Sequence, residues 1–302
     1  MRRSLWLLVL LAGTAHKASG QACTHTVLVS FYDQLTTSEI ETLKSDDIEV
    51  RMAGTTLPVV KLDRDFNNRV LILLETDGAS KSSKLEETVD TVTQQARTMG
   101  EGRPVAFGIY AQKAVFTKGF VADPDQRNTA VGQVMEEAGT LGSRVALWDA
   151  LHDALALFGP HQPGDTILLV GEPYDDASHH SAHDVEREFV SSGTRLFIMR
   201  RIRGSRVDRD FMWSSHELEK ATLDRITQET GGLLSEYVPS LIRFAWAGYM
   251  VEIRMPEGMD KPRKWKVQFR GPAAQTHRKT NFYYPAVLPP CSVKQESRQA
   301  SR

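Results

Sequence analysis

Apolar and polar positions follow two different periods along this chain, and the period changes twice. Near the N-terminus the pattern is β. Thr26–Phe31 (TVLVSF) is strand-like, and Leu35–Lys44 predicts a short helix with Ser38 and Glu41 spaced as a capping box. Asp47–Met52 and Thr56–Leu62 flank Ala53-Gly54-Thr55 and predict a hairpin. From Asn68 the pattern becomes alternating strand and helix. Val70–Leu74 is an unbroken apolar run, the signature of a strand buried on both faces of a parallel sheet. Leu85, Val89, Val92, Ala96 and Met99 then fall at helical spacing on one face.

The alternation continues. Val105–Tyr110 reads as a strand, with Ala114–Phe120 as an edge beside it. Asp123-Pro124 opens a helix in the way a cap and a first-turn proline do. Val145–Phe158 is apolar nearly all round and predicts a buried helix. Thr166–Val170 is a buried strand, Ser181–Ser192 a helix, Arg195–Met199 a strand, Leu218–Thr230 a helix and Leu233–Tyr237 a last strand. From Tyr249 the β period returns, over Tyr249–Met255, Lys264–Phe269 and Gln275–Tyr284. The fold class is therefore α/β: a doubly wound, mostly parallel sheet inserted in a small β-sandwich made from both chain ends. The expected divisions are a signal peptide at 1–20, sandwich at 21–66, the α/β domain at 67–238, sandwich again at 239–292, and a disordered tail at 293–302.

The leader changes the expected compartment. Arg2-Arg3, the apolar core Leu5–Leu11 and the small residues Ala18-Ser19-Gly20 match a secretory signal. No stretch approaches the ~20 apolar residues that cross a bilayer. The protein is expected to be exported, secreted or periplasmic, with a lipid anchor on Cys23 as the alternative. Cys23 and Cys291 are the only cysteines. An oxidising compartment favours a bridge between them, and two unpaired thiols are the alternative. A net charge of −1 gives no sign of a nucleic-acid partner. The basic patches Arg200–Arg206 and Lys261–Lys266 read as solvated loops.

Ligands of parallel sheets bind at the carboxyl ends of strands, which directs attention to Glu75-Thr76-Asp77-Gly78-Ala79-Ser80. No zinc-protease, nucleophile-elbow or phosphate-loop motif occurs, so no catalytic residue is assigned and the chain is read as a non-enzyme. His179, His180 and His183 lie near Asp175, Asp176 and Asp184, donors that suit zinc, though a polar helix entry explains them equally.

The order of these pieces, with Ala146-Leu147-Trp148-Asp149-Ala150-Leu151 on a helix and Tyr283-Tyr284-Pro285 near the end, resembles a von Willebrand factor type A (vWA) domain. It looks most like the exported VWFA-related proteins of acidobacteria. That resemblance implies a vWA/Rossmann-like sheet and a metal-ion-dependent adhesion site built from hydroxyls and carboxylates. Here Glu75 stands at the first Asp, Asp77 at the first Ser, Ala79 at the second Ser, Val145 at the Thr and Gly171 at the second Asp. All five depart from the motif, and Ala79 and Val145 bring no side-chain oxygen. The expectation is a degenerate site with no cofactor, and protein binding through a surface at Glu75, Asp77, Ser80, Val145 and Glu172. The alternative is a Mg²⁺ or Ca²⁺ adhesive module on a site rebuilt from Glu75, Asp77, Ser80 and Glu172. The protein partner is not named by the sequence.

Overall fold

The computed structural model describes residues 23–33, 38–39, 42–64, 66–76, 90, 94, 102–172, 174–200, 217–235, 245–246, 248–257, 259 and 261–290. The expected signal peptide, the helix after residue 84 apart from the helical Asp90 and Gln94, Asp77, Ala79, Ser80, Cys291, the Arg200–Arg206 patch beyond Arg200 and the C-terminal tail lie outside these residues.

The first five strands are β1 (Thr24–Asp33), β2 (Ser38–Glu39), β3 (Ile48–Met52), β4 (Thr55–Leu57) and β5 (Val59–Asp63). The helix expected over Leu35–Lys44 is not formed at Ser38–Glu39, which pair antiparallel with Tyr32 and Asp33 of β1. A local capping pattern has yielded to the edge of a strand already in place. The hairpin holds: β3 and β4 pair with Val50 opposite Leu57. Ala53 and Gly54 both take positive φ (49° and 83°), the requirement of a two-residue turn that follows strand twist.

The middle of the chain carries β6 (Val70–Glu75), β7 (Val105–Tyr110), β8 (Ala114–Phe116), α1 (Pro124–Glu136), α2 (Leu147–Leu157), β9 (Thr166–Gly171), α3 (Ala182–Ser192), β10 (Arg195–Arg200), α4 (Glu217–Thr230) and β11 (Leu233–Ser235). Six strands form one sheet in the order β11-β10-β9-β6-β7-β8, parallel throughout except for β8 at the edge. Every residue of β6, β7 and β9 is buried. Because strand side chains alternate faces, the sheet feeds two cores. Val70, Ile72 and Leu74 join Phe107 and α1 on one side, and Leu71 and Leu73 join α2, α3 and α4 on the other. That two-sided cover is the doubly wound arrangement.

The chain closes with β12 (Tyr249–Arg254), β13 (Arg263–Phe269), α5 (Gly271–Thr276), β14 (Thr280–Tyr283) and β15 (Val287–Leu288). The strand expected over Gln275–Tyr284 is shorter than its pattern. Gln275 and Thr276 end a helical turn opened by Pro272, and pairing begins only at Thr280. Lys261–Lys266 is also not a loop, since β13 starts at Arg263. Both chain ends contribute to two antiparallel sheets: β14-β1-β12-β5, with β2 beside β1, and β15-β13-β3-β4. Their inner faces share one core, with Val29, Phe31 and Val251 from the first sheet and Val50, Trp265 and Val267 from the second. Ala245 and Trp246 belong instead to the α/β core.

Buried charge joins the α/β sheet to the strands from the chain ends. Arg195, 1% exposed at the start of β10, donates to Gly231 O at the C-terminus of α4 and to Ser30 Oγ on β1. The negative end of the α4 dipole and the face of Phe197, 4.7 Å from the guanidinium carbon, stand in for a counter-ion. Burial pushes the Arg195 guanidinium down to about 9. Gly231 and Gly232 are required by space. A Cβ on Gly231 would lie 2.2 Å from the Tyr284 carbonyl carbon, and one on Gly232 1.7 Å from Leu196 O.

Candidate functional site

The carboxyl ends of β6, β7 and β9 meet the entrance of α2. Glu75 ends β6 and is 3% exposed. Its Oε2 accepts from the N–H of Glu172, at 2.6 Å, just past the end of β9. Gly171 explains how a glutamate fits there. A Cβ on Gly171 would stand 2.7 Å from Glu75 Oε2, 2.8 Å from Glu75 Cβ and 3.1 Å from Tyr110 Oη. Glu75 and Gly171 are therefore a matched pair: the longer acid at 75 fills the space that a side chain at 171 would need. Thr76 is buried beside them, its N–H and hydroxyl both donating to Tyr110 O.

Val145 lies across this end of the sheet and contributes its backbone only. Its N–H donates to Asp176 Oδ1 at 2.7 Å, and its carbonyl accepts from the N–H groups of Asp176 and Ala177. The next residues show why the loop after β9 is acidic. A helix start leaves N–H groups unpaired, and Ala146 at the cap position has no side-chain acceptor to offer. The loop supplies the acceptors. Leu147 N–H donates to Asp175 Oδ1, and the N–H groups of Trp148 and Asp149 donate to Ser178 Oγ. Asp149 returns the favour from inside α2, accepting the N–H groups of His179 and His180 and contacting both imidazole Nδ1 atoms at 2.9 and 2.8 Å.

The carboxylates of this exchange are tuned in opposite directions. At Asp149 burial pushes upward, but the His180 and His179 N–H groups and both imidazoles outweigh it and hold the carboxyl well below the usual range. Asp176 is lowered chiefly by the Val145 N–H, with help from Tyr174 and Arg144 after burial has opposed it. Burial raises Asp175 despite the hydrogen bonds from Ser178 and from the N–H groups of Leu147 and Trp148.

The structure thus brings together Glu75, Glu172 and Gly171, and separately Val145 with Asp175 and Asp176. Asp77 and Ser80 lie outside the described residues. Among the described residues no group of three or more His, Cys, Asp or Glu side chains could hold a metal ion. Of the described positions that the resemblance assigns to an adhesion-site cation, Glu75 brings a carboxylate whose Oε2 accepts a backbone N–H, while Val145 and Gly171 bring no side-chain oxygen. The candidate histidines turn to different partners: His179 and His180 direct Nδ1 to Asp149, while His183 stands 3.8 Å from Glu186.

Tyr110, Ser178 and the role of Asp149 were not legible in the sequence. Asp149 and His180 are 31 residues apart, and no spacing rule links them. A cleft of about 490 Å³ between α4, β11 and Phe282–Tyr284 holds none of the predicted site residues.

No known protein family's profile matches the chain, and no curated protein sequence matches it either. Among solved structures it is similar to the conserved hypothetical protein BatB from Bacteroides thetaiotaomicron, at 12% identity over 59% of this chain and 94% of that one, TM-score 0.42. An aerotolerance-related membrane protein from Bacteroides fragilis NCTC 9343 is 15% identical over 59% of this chain and 96% of that one, TM-score 0.43. The SpRpn10 VWA domain is 11% identical over 60% of this chain and 94% of that one, TM-score 0.37.

Proposed function

We propose that this protein is an exported, non-catalytic binding or scaffold module whose vWA-like sheet, carried by a β-sandwich from both chain ends, works without the standard metal. One observation carries this reading. The position that would bear the second metal-orienting Asp is Gly171, and the volume above it is filled by Glu75, whose carboxylate accepts the Glu172 N–H. The ordered sequence motifs and the strand order of the parallel sheet support the vWA-like assignment. Partner protein would meet the loop-bearing end of the sheet, at Glu172 and around Val145, Asp77 and Ser80.

The reading includes a clip between Cys23 and Cys291. No described cysteine is free, and Cys23 packs half-buried against the sandwich core, its carbonyl accepting from Met255 N–H. Leu288, three residues before Cys291, is buried in the same core.

Thermal unfolding of the full chain tests the metal-free reading. A ligand that binds only the native state raises the melting temperature by mass action. Millimolar Mg²⁺, Ca²⁺ or Mn²⁺ is expected to leave the midpoint where EDTA leaves it. A rise that Asp77→Ala abolishes would overturn the proposal in favour of the rebuilt site.

A further inference from the structure

The cleft of about 490 Å³ beside the parallel sheet borders one particular part of it. Leu233 and Leu234 of β11 both line the cleft. Their side chains go to opposite faces of the sheet, Leu233 into the core that holds α1 and Leu234 into the core that holds α2, α3 and α4. Consecutive residues whose side chains diverge in this way share a lateral cleft along the strand edge. Among the described residues β11 is the terminal strand of its sheet and pairs with β10 alone. A strand paired on one side turns alternate backbone N–H and C=O groups away from its ladder. At β11 that side is the cleft.

The other walls are polar or already engaged. Asp224, Thr227 and Gln228 line the cleft as one stripe of α4, at i, i+3 and i+4. Thr227 is spent locally, its hydroxyl donating to Asp224 O and its carbonyl accepting from Gly232 N–H. Asp224 is half-buried and meets no cation among the described residues, and the adjacent Arg225 is committed to Glu186. The far wall is Phe282–Tyr284 on and after β14, the terminal strand of the first antiparallel sheet. The rings of Phe282 and Tyr284 are taken by Phe31 and Trp265. One end is closed where Ala286 N–H donates to Glu229 O and the Tyr284 carbonyl carbon fills the place of a Gly231 Cβ. Small molecules favour apolar walls, and these rings serve the core. An extended chain needs a backbone edge for its main chain and a matching group for a side chain, and the cleft offers both.

We propose that this cleft takes an extended peptide segment of a partner, which adds as a strand to the outer edge of β11 and sets a lysine or arginine against Asp224. The site shares no residue with the loop-end surface around Glu172, so the two readings stand or fall separately.

Fluorescence anisotropy of the full chain with defined peptides tests it. The probe is a labelled peptide of alternating threonine and valine with one central arginine. It is expected to bind saturably. The same peptide with glutamate for arginine should bind about fivefold more weakly, the upper worth of a partly exposed ion pair. Asp224→Arg should invert that preference, an outcome that an unfolded variant cannot give. Strand addition also demands alternation along the peptide backbone. With the arginine fixing the register, N-methylation of every second amide should abolish binding in one phase and spare it in the other, because only one edge of the peptide meets β11. No saturable binding at millimolar probe overturns the proposal. So does an equal response to both methylated peptides, or a charge preference that Asp224→Arg leaves unchanged.

Discussion

The two ends of the parallel sheet use polar groups for opposite purposes. At the amino ends of the strands, charge is buried and couples distant parts of the chain. Asp165, 1% exposed, receives Arg69 Nε and Nη2 at 2.9 and 2.6 Å, and Arg69 also donates to the Phe158 and Pro160 carbonyls. Asn68 donates to Gly164 O and Ala245 O, and Arg195 reaches Ser30 on β1. At the carboxyl ends the carboxylates mostly take backbone N–H groups: Glu75 from Glu172, Asp175 from Leu147, Asp176 from Val145, Asp149 from two histidines. One end holds the architecture together, and the other fixes the shape of its own loops. Of the described carboxylates at the second end, Glu75, Asp149, Asp175 and Asp176 are engaged in this way.

That contrast is broken most severely by removing a charge at the amino end. Asp165→Ala leaves Arg69 without its carboxylate, and breaking a buried pair from one side costs about 3–5 kcal/mol. Chemical denaturation should show that loss as a lower midpoint with an unchanged slope. A loss below ~1 kcal/mol would mean that the pair is surface-like in its energetics, and that the two ends do not differ as described.

The matched pair at the carboxyl end predicts a smaller but more diagnostic effect. Gly171→Ala overpacks against Glu75 and Tyr110 and should cost about 1–3 kcal/mol. Shortening the acid first should relieve it. In a Glu75→Asp background the same alanine is expected to be milder, with a coupling of at least about 0.5 kcal/mol in the double-mutant cycle. Additive effects would sever residue 75 from residue 171 and remove the observation on which the metal-free function rests.

What the sequence made legible follows from the range of the forces involved. The three buried strands announce themselves because Val70–Leu74, Val105–Tyr110 and Thr166–Val170 must be apolar on both faces. Asp123 and Ser181 announce helix starts because their side chains accept from Gln126 and Asp184 N–H groups a few residues away. The loop at Glu75 was legible as a place, and its missing hydroxyls as an absence. Where non-local contacts decide, the reading failed. Ser38–Glu39 join a strand whose partner is a tertiary context, and Gln275-Thr276 stay helical because Pro272 and the packing of Ala273 outweigh a weak alternation. The capping of α2 by Asp175 and Ser178 is equally invisible, since donors and acceptors lie 28 to 30 residues apart.

The smallest expected effect concerns Asp149, and pH separates it from its neighbour. Its carboxyl is held below the ordinary range by the histidine N–H groups and imidazoles, against the pull of burial. An acid lowered in the folded state stabilises fully above its unfolded value, near 4, and loses that contribution as pH falls further. Asp175, raised by burial, works the other way: its share of stability grows as pH falls toward the same value. Wild type should therefore lose stability between about pH 4 and pH 2 more steeply than Asp149→Asn, while Asp175→Asn should remove the gain that wild type shows as pH falls toward 4. At neutral pH Asp149→Asn should cost about 1 kcal/mol, the scale of a helix-end capping interaction, because one amide oxygen cannot replace two carboxylate oxygens facing four nitrogen atoms. Parallel stability–pH curves for all three proteins would show that the loop after β9 is not fastened to α2 through Asp149, and would leave the carboxyl end of the sheet open to the rearrangement that a metal-binding module would need.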